Sequence, residues 1–371
     1  MKEWIEYKNS ICNKGNLYRL KQVLKMAEAN APITVAFLGG SITQGSLATT
    51  DENCYAHRVF SWWEETFPDG DFTYVNAGIG GTTSHFGAAR VDHDVLAYEP
   101  DVVFVEFSVN DESNPHFLET YEGLVRHIWN APSAPAVILI SNVYYHNGGN
   151  AQLIHEQVAR QYELPLVSMQ SAIYPAVREG HIANRDITPD DLHPNDMGHM
   201  LVASVITYFL DHVLEEVLIG ELPPFAGGEL PAPLTANTYE AAQRLDNRNS
   251  NPTLCGFVVD TTKQHQVREC FCNGWLASKN DAVFAMEVEG SGIALQYRRY
   301  KDGHAPKAYV RLDGEDAGVL DGNFDETWGD KLELTTVLEH GTYGKHRLEV
   351  VIDGAEAEGV PFSLVSVIVA K

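Results

Sequence analysis

Residues 33–45 read Ile33-Thr34-Val35-Ala36-Phe37-Leu38-Gly39-Gly40-Ser41-Ile42-Thr43-Gln44-Gly45. A short apolar run of this kind suits a strand covered on both faces, and the glycines that follow predict a tight turn. Ligands of open α/β sheets gather at the carboxyl ends of strands, so Ser41 stands where a reactive hydroxyl is useful. Taken alone, the segment also reads as a plain turn.

The flanking sequence repeats the pattern. Residues 14–29 predict an amphipathic helix with Leu17, Leu20, Val23, Leu24 and Met26 on one side. Beyond the turn, helices are expected at 55–67 (carrying Trp62 and Trp63), 83–97, 115–130, 149–161 and 195–218. Strands are expected at 72–76, 101–107, 136–141 and 165–168. Apolar strands alternating with helices predict a three-layer α/β/α domain on a flavodoxin-like, mostly parallel sheet.

Residues 219–236 (IGELPPFAGGELPAPLTA) break the alternation with Pro and Gly. Past them the period becomes two. Strands are expected at 254–260, 268–276, 282–288, 292–299, 307–312, 332–338, 345–353 and 363–370, between turns such as Asp302-Gly303, Asp313-Gly314 and Asp353-Gly354. That layout predicts a C-terminal all-β sandwich of jelly-roll type. The expected organisation is a catalytic α/β domain at 1–220, a linker at 221–236 and a β-sandwich at 237–371.

The 371 residues carry 26 basic and 51 acidic side chains, a formal net charge of -25. Such a surface repels nucleic acid and anionic membrane and accommodates a neutral ligand more readily. Met1 to Leu20 is polar, without the apolar core of a signal peptide, and no run of about 18 apolar residues occurs. Five scattered cysteines (Cys12, Cys54, Cys255, Cys270, Cys272) do not suggest a disulfide framework. A cytoplasmic location is therefore expected. Cys270-Phe271-Cys272 reads as part of a strand rather than as a metal site.

Chemistry concentrates in four places. At the first turn, a dinucleotide fingerprint would need Gly-x-Gly-x-x-Gly and a P-loop would need Gly-Lys-Ser/Thr, and neither is present. The nucleophile elbow of α/β-hydrolases needs Gly where Thr43 stands. The second place is Asn76-Ala77-Gly78-Ile79-Gly80-Gly81-Thr82-Thr83, whose glycines can present backbone N–H groups to an oxyanion. The third is Glu106-Phe107-Ser108-Val109-Asn110-Asp111, where an asparagine side chain can enter the same cleft. The fourth is Pro189-Asp190-Asp191-Leu192-His193-Pro194-Asn195. There an aspartate three residues before a histidine can orient its imidazole as a general base. Asp191 is a rival orienting carboxylate and His199 a rival base.

A serine, a glycine, an asparagine and Asp-x-x-His in this order resemble the SGNH-hydrolase superfamily, the GDSL-type esterases, over residues 30–217. The resemblance implies Ser41 as nucleophile, His193 as general base and Asp190 as its orienter. It implies an oxyanion hole from the Ser41 and Gly81 amides and the Asn110 side chain, with Gly80 as the alternative. Two positions depart from the family pattern: Gly40 replaces the Asp before the serine, and Ser108 replaces a Gly. Gly-Gly-Ser-Ile-Thr is similar to carbohydrate-acting members. With a sandwich resembling a family 35 carbohydrate-binding module, the chain resembles carbohydrate esterase family 17, bacterial mannan acetylesterases that remove 2-O-acetyl groups.

The implied activity is acetyl removal from an acetylated oligosaccharide by two-step acyl transfer, without cofactor or metal. The rival readings are a lipid esterase or thioesterase of the same superfamily, and a non-catalytic glycan-binding protein. Trp328, in a loop, is the expected sugar platform, with Tyr144, Tyr145 and His146 as further candidates. The run Asp321–Glu326 lacks the spacing of an EF-hand, leaving an irregular calcium site open. Oligomeric state is not legible from the sequence.

Overall fold

The computed structural model describes residues 1–220, 230–302, 304–326, 328–356 and 359–371. The chain forms two compact units, Met1–Gly87 with Val91–Asn237, and Thr238–Lys371 with Ala88–Arg90. Of the expected linker, 221–229 lies outside the described residues.

The first unit is built on β1 (Ile11–Asn13), β2 (Ile33–Gly39), β3 (Phe72–Gly78), β4 (Val102–Glu106), β5 (Ala136–Ser141) and β6 (Leu166–Ser168). The order is β1-β6-β5-β4-β2-β3, with every pair parallel except β1 against β6. Counting the parallel strands alone gives the flavodoxin-like order 2-1-3-4-5. Strands β4 and β5 are buried at every position, apolar throughout except for their last residues, Glu106 and Ser141. The edge strand β1 has a mixed three-residue sequence, which hides it from any periodicity argument.

The helices are α1 (Tyr18–Glu28), α2 (Ser41–Gln44), α3 (Tyr55–Thr66), α4 (Ser84–Asp94), α5 (Pro115–Trp129), α6 (Gln152–Gln161), α7 (Met169–Ala172), α8 (Tyr174–Arg178), α9 (Asn184–Ile187) and α10 (Asp196–Leu218). Sequence signals set their ends. The Asn114 side chain accepts the Phe117 N–H at 3.0 Å with Pro115 in the first turn, and Asn195 accepts the Gly198 N–H at 3.0 Å. Helix α10 buries Leu201, Val202, Val205, Ile206, Phe209, Leu210 and Val213 in the core.

Register matters most for function. Gly39 of β2 lies level with Gly78 of β3 and Glu106 of β4. Three separate motifs therefore leave the sheet at one height, around the point where the strand order reverses, which is where such sheets bind ligands.

The second unit is an antiparallel sandwich. One sheet has the order β15-β12-β17-β10-β9, with β7 also on β17, and the other has β14-β13-β16-β11-β8. These strands are β7 (Gln243–Leu245), β8 (Thr253–Cys255), β9 (Phe257–Val259), β10 (Trp275–Ala277), β11 (Val283–Gly290), β12 (Gly292–Arg299), β13 (Lys307–Leu312), β14 (Glu315–Asp321), β15 (Lys331–Leu338), β16 (Gly344–Asp353) and β17 (Phe362–Ala370). Phe257, Trp275, Phe284, Leu295, Val350 and Leu364 from both sheets share its core.

Two expectations need correction. The strand expected at 254–260 is two strands in different sheets, because Gly256 takes φ 83° and lets the chain cross between them. Cys270 and Cys272 lie outside any strand. Asn273 adopts φ 63° and ends the extended run, so β10 begins only at Trp275.

Candidate active site

Ser41 opens the short helix α2 directly after β2. An ideal Cβ on Gly40 would lie 2.2 Å from the Asn110 side-chain oxygen, so an aspartate, the family's residue, would have to displace that side chain. The turn is tied to β3: the Asn76 side chain donates to the Thr43 carbonyl at 2.9 Å and the Ile79 N–H to the Gly39 carbonyl at 3.1 Å.

The Ser41 hydroxyl lies 2.8 Å from His193 Nε2, and His193 Nδ1 lies 2.6 Å from Asp190 Oδ2. The carboxylate can only accept, so Nδ1 carries the proton and Nε2 is left to accept from the serine. The other Asp190 oxygen accepts the backbone N–H groups of His193 at 2.7 Å and Leu192 at 3.1 Å. Partial burial pushes the Asp190 carboxyl up. The hydrogen bonds from His193 and Leu192 outweigh it, and the group ends below its ordinary value, ionised at neutral pH.

The rivals are occupied elsewhere. Asp191 takes Asn184 Nδ2 at 2.5 Å and Arg185 at 2.9 Å, and its carbonyl accepts the Tyr145 N–H at 2.8 Å. His199 is buried, accepts the Tyr55 N–H at 3.2 Å on Nδ1 and faces the Ser46 carbonyl with Nε2 at 3.2 Å. Burial holds its pKa down to about 4, so it stays neutral and structural.

In the second motif, the Gly80 N–H donates to the Gln44 side-chain oxygen at 2.6 Å. Gly81 follows with φ 68°, a left-handed conformation that glycine adopts without strain. The Gly80 N–H is committed to Gln44 and not to a ligand. In the third, the Asn110 N–H donates to the Phe107 carbonyl at 3.0 Å, and its side-chain oxygen is buried beside Gly40 without a hydrogen-bond partner. Ser108, the residue that replaces glycine, bonds Glu106 Oε1 through its hydroxyl at 2.9 Å and its N–H at 3.1 Å.

Such an arrangement can activate a hydroxyl and hold an oxyanion, the two requirements of acyl transfer. A model of the GDSL-like lipase/acylhydrolase family matches residues 37–201. A crystallised two-domain esterase (CEX) active on acetylated mannans is 54% identical, with 99% of each chain covered and a TM-score of 0.96. Its co-crystal with mannopentaose gives 54% identity, 99% of this chain, 98% of that one and a TM-score of 0.94. The chain belongs to the GDSL-like lipase/acylhydrolase family. It is a carboxylic-ester hydrolase. An acetylxylan esterase of Geobacillus stearothermophilus is 25% identical over 199 residues, 45% of this chain and 89% of the relative.

The other expected residues of this GDSL esterase fare differently. Tyr144 is half-buried and its hydroxyl donates to the Val109 carbonyl at 3.2 Å, beside Asn110. His146 is exposed, 5.8 Å from the Tyr144 ring. Tyr145 is a correction: its ring belongs to the hydrophobic core and has no face for a sugar. Trp328 is 60% exposed, edge-on to Phe324, with its indole N–H on Glu326 at 2.7 Å. In the acidic run, Asp321 engages Lys307 at 3.0 Å and the Asn323 side chain at 2.8 Å. Among the described residues, no group of three or more His, Cys, Asp or Glu is arranged to hold a metal ion, and no helix is long and apolar enough to cross a membrane.

Gln44 and Asp111 were not singled out from sequence. Each sits inside a quoted motif, but only the fold shows that Gln44 reaches the second motif and Asp111 the helix after it.

Proposed function

We propose that this chain is a carbohydrate acetylesterase that removes O-acetyl groups, 2-O-acetyl mannose in particular, from mannan-type oligosaccharides. The unbroken line Asp190–His193–Ser41, with contacts of 2.6 and 2.8 Å, carries the reading. His193 Nε2 takes the Ser41 proton as Oγ attacks the acetyl carbonyl. The carbonyl oxygen gains charge beside the Ser41 amide, the Gly81 amide and Asn110 Nδ2. His193 then hands its proton to the leaving sugar oxygen, and a water activated by the same nitrogen releases acetate.

The mannan substrate is supported by the full-length likeness to an esterase active on acetylated mannans. A chain of net charge -25 suits a neutral substrate. In this reading residues 1–220 are catalytic, 221–236 connect, and 237–371 form a carbohydrate-binding module with Trp328 as its platform. The five cysteines are unpaired, in keeping with a reducing cytoplasm.

Mass spectrometry of acetylated manno-oligosaccharides tests the proposal. Loss of about 42 Da per acetyl group is expected with the wild type and none with Ser41→Ala, a loss of roughly 10⁴-fold or more in turnover. An acyl-length series on aryl esters that favours long chains would replace the reading with a lipid esterase. Binding without turnover would replace it with a glycan-binding protein.

A further inference from the structure

A second aspartate–histidine pair lies behind the site, and the acyl-transfer scheme does not use it. Asp111 Oδ2 contacts His155 Nε2 at 3.1 Å, and the two side chains are 0% and 1% exposed. Asp111 Oδ1 accepts the backbone N–H of Ser84 at 2.9 Å. His155 belongs to α6 and stacks flat on Tyr121 of α5, with centroids 3.5 Å apart.

The sequence positions give these contacts meaning. Asp111 directly follows Asn110, and Ser84 comes three residues after Gly81. A single carboxylate therefore spans the loops that carry the second and third oxyanion donors. The Ala151 N–H adds a tie from the start of α6 to the Ser108 carbonyl at 2.7 Å. A carboxyl group out of water persists only where hydrogen bonds satisfy it. Ser84 and His155 supply two such partners to Asp111.

Resting on the acyl-transfer reading above, we infer that Asp111 and His155 are positioning residues that set the separation of the Gly81 amide and the Asn110 side chain, so that both donors reach one oxyanion. His155 holds Asp111, and Asp111 holds the two loops.

The test compares His155→Phe with His155→Gln on an aryl acetate. Phe keeps the stack on Tyr121 and removes the donor; Gln restores an N–H to Asp111. For His155→Phe, kcat is expected to fall about 10- to 100-fold with KM within about twofold, because a misplaced donor weakens only the transition state. His155→Gln is expected to recover kcat to within about threefold of wild type. Phosphorylation of Ser41 by diisopropyl fluorophosphate, with loss of fluoride, should slow in step with kcat, while the downfield proton resonance of the His193–Asp190 hydrogen bond stays in place. If His155→Phe fails to fold, His155→Leu takes its place in the comparison. Wild-type kcat in the donor-free variant, equal losses in both variants, or a change confined to KM would overturn the inference. Absence of ester hydrolysis by the wild type, or full turnover by Ser41→Ala, would instead overturn the acyl-transfer reading.

Discussion

Gly40 is where one missing atom decides the most. The Asp190–His193–Ser41 line and the residues proposed for the oxyanion hole were legible because their order along the chain is a family signature. The reason for a glycine before Ser41 was not, since it lies in Asn110, 70 positions away. With 2.2 Å between an ideal Cβ and the Asn110 oxygen, Gly40→Ala must displace that side chain. Turnover on an aryl acetate is expected to drop by about 10²-fold, the scale of losing one oxyanion donor. A variant within twofold of wild type would show that Asn110 tolerates the shift. Glu106 carries a second hidden role. Burial pushes its carboxyl up to about 7, against hydrogen bonds from Ser108 and Asn142 that favour the charged form. A raised carboxyl holds its proton more tightly folded than unfolded. Its contribution to stability is thus complete below the unfolded value near 4.5 and lost as pH rises through about 7. Urea unfolding from pH 5 to 8.5 should show Glu106→Gln gaining on the wild type as pH rises, by up to about 3 kcal/mol. Parallel curves would refute it.

At the scale of elements, long periodic segments were legible and most short ones, β6 excepted, were not. Strand β5 and the start of α5 fall where the sequence put them. Helices α7 to α9, four or five residues each, are too short for any period to emerge. Strand β14 was missed because it is an acidic edge strand with Leu320 its single buried residue, and Gly318 at φ 120° interrupts the alternation. The loop from α9 to α10 carries both Asp190 and His193. Asp191 adopts φ 71° there, held by Asn184, Arg185 and the Tyr145 N–H, and this clamp presents Asp190 rather than Asp191 to the imidazole. Sequence left the two aspartates as rivals because the choice is made by backbone geometry. Asp190→Asn is expected to lower kcat by roughly 10³- to 10⁴-fold and Asp191→Asn by less than about tenfold. Comparable losses at both positions would mean that the loop, and not one carboxylate, orients His193.

At the scale of the molecule, acidity is shared: residues 1–220 hold 12 basic and 28 acidic side chains, and 221–371 hold 14 and 23. Neither half is net basic, and a neutral glycan offers no net charge for long-range attraction to act on. Affinity for a neutral sugar has to come from contact, and aromatic faces provide it by covering the C–H surface of a pyranose. Trp328 is 60% exposed, with its indole N–H donating to Glu326, and offers such a face. Removing a stacking partner worth roughly 1 kcal/mol or more should lower kcat/KM on acetylated manno-oligosaccharides by about 5- to 20-fold in Trp328→Ala. A small aryl acetate, which needs only the triad and the oxyanion donors, should be hydrolysed at the wild-type rate. Paired kinetics on the two substrates make the comparison. Equal losses would assign Trp328 to the stability of its own sandwich, and no loss on either would leave the sugar to be held by the α/β unit alone.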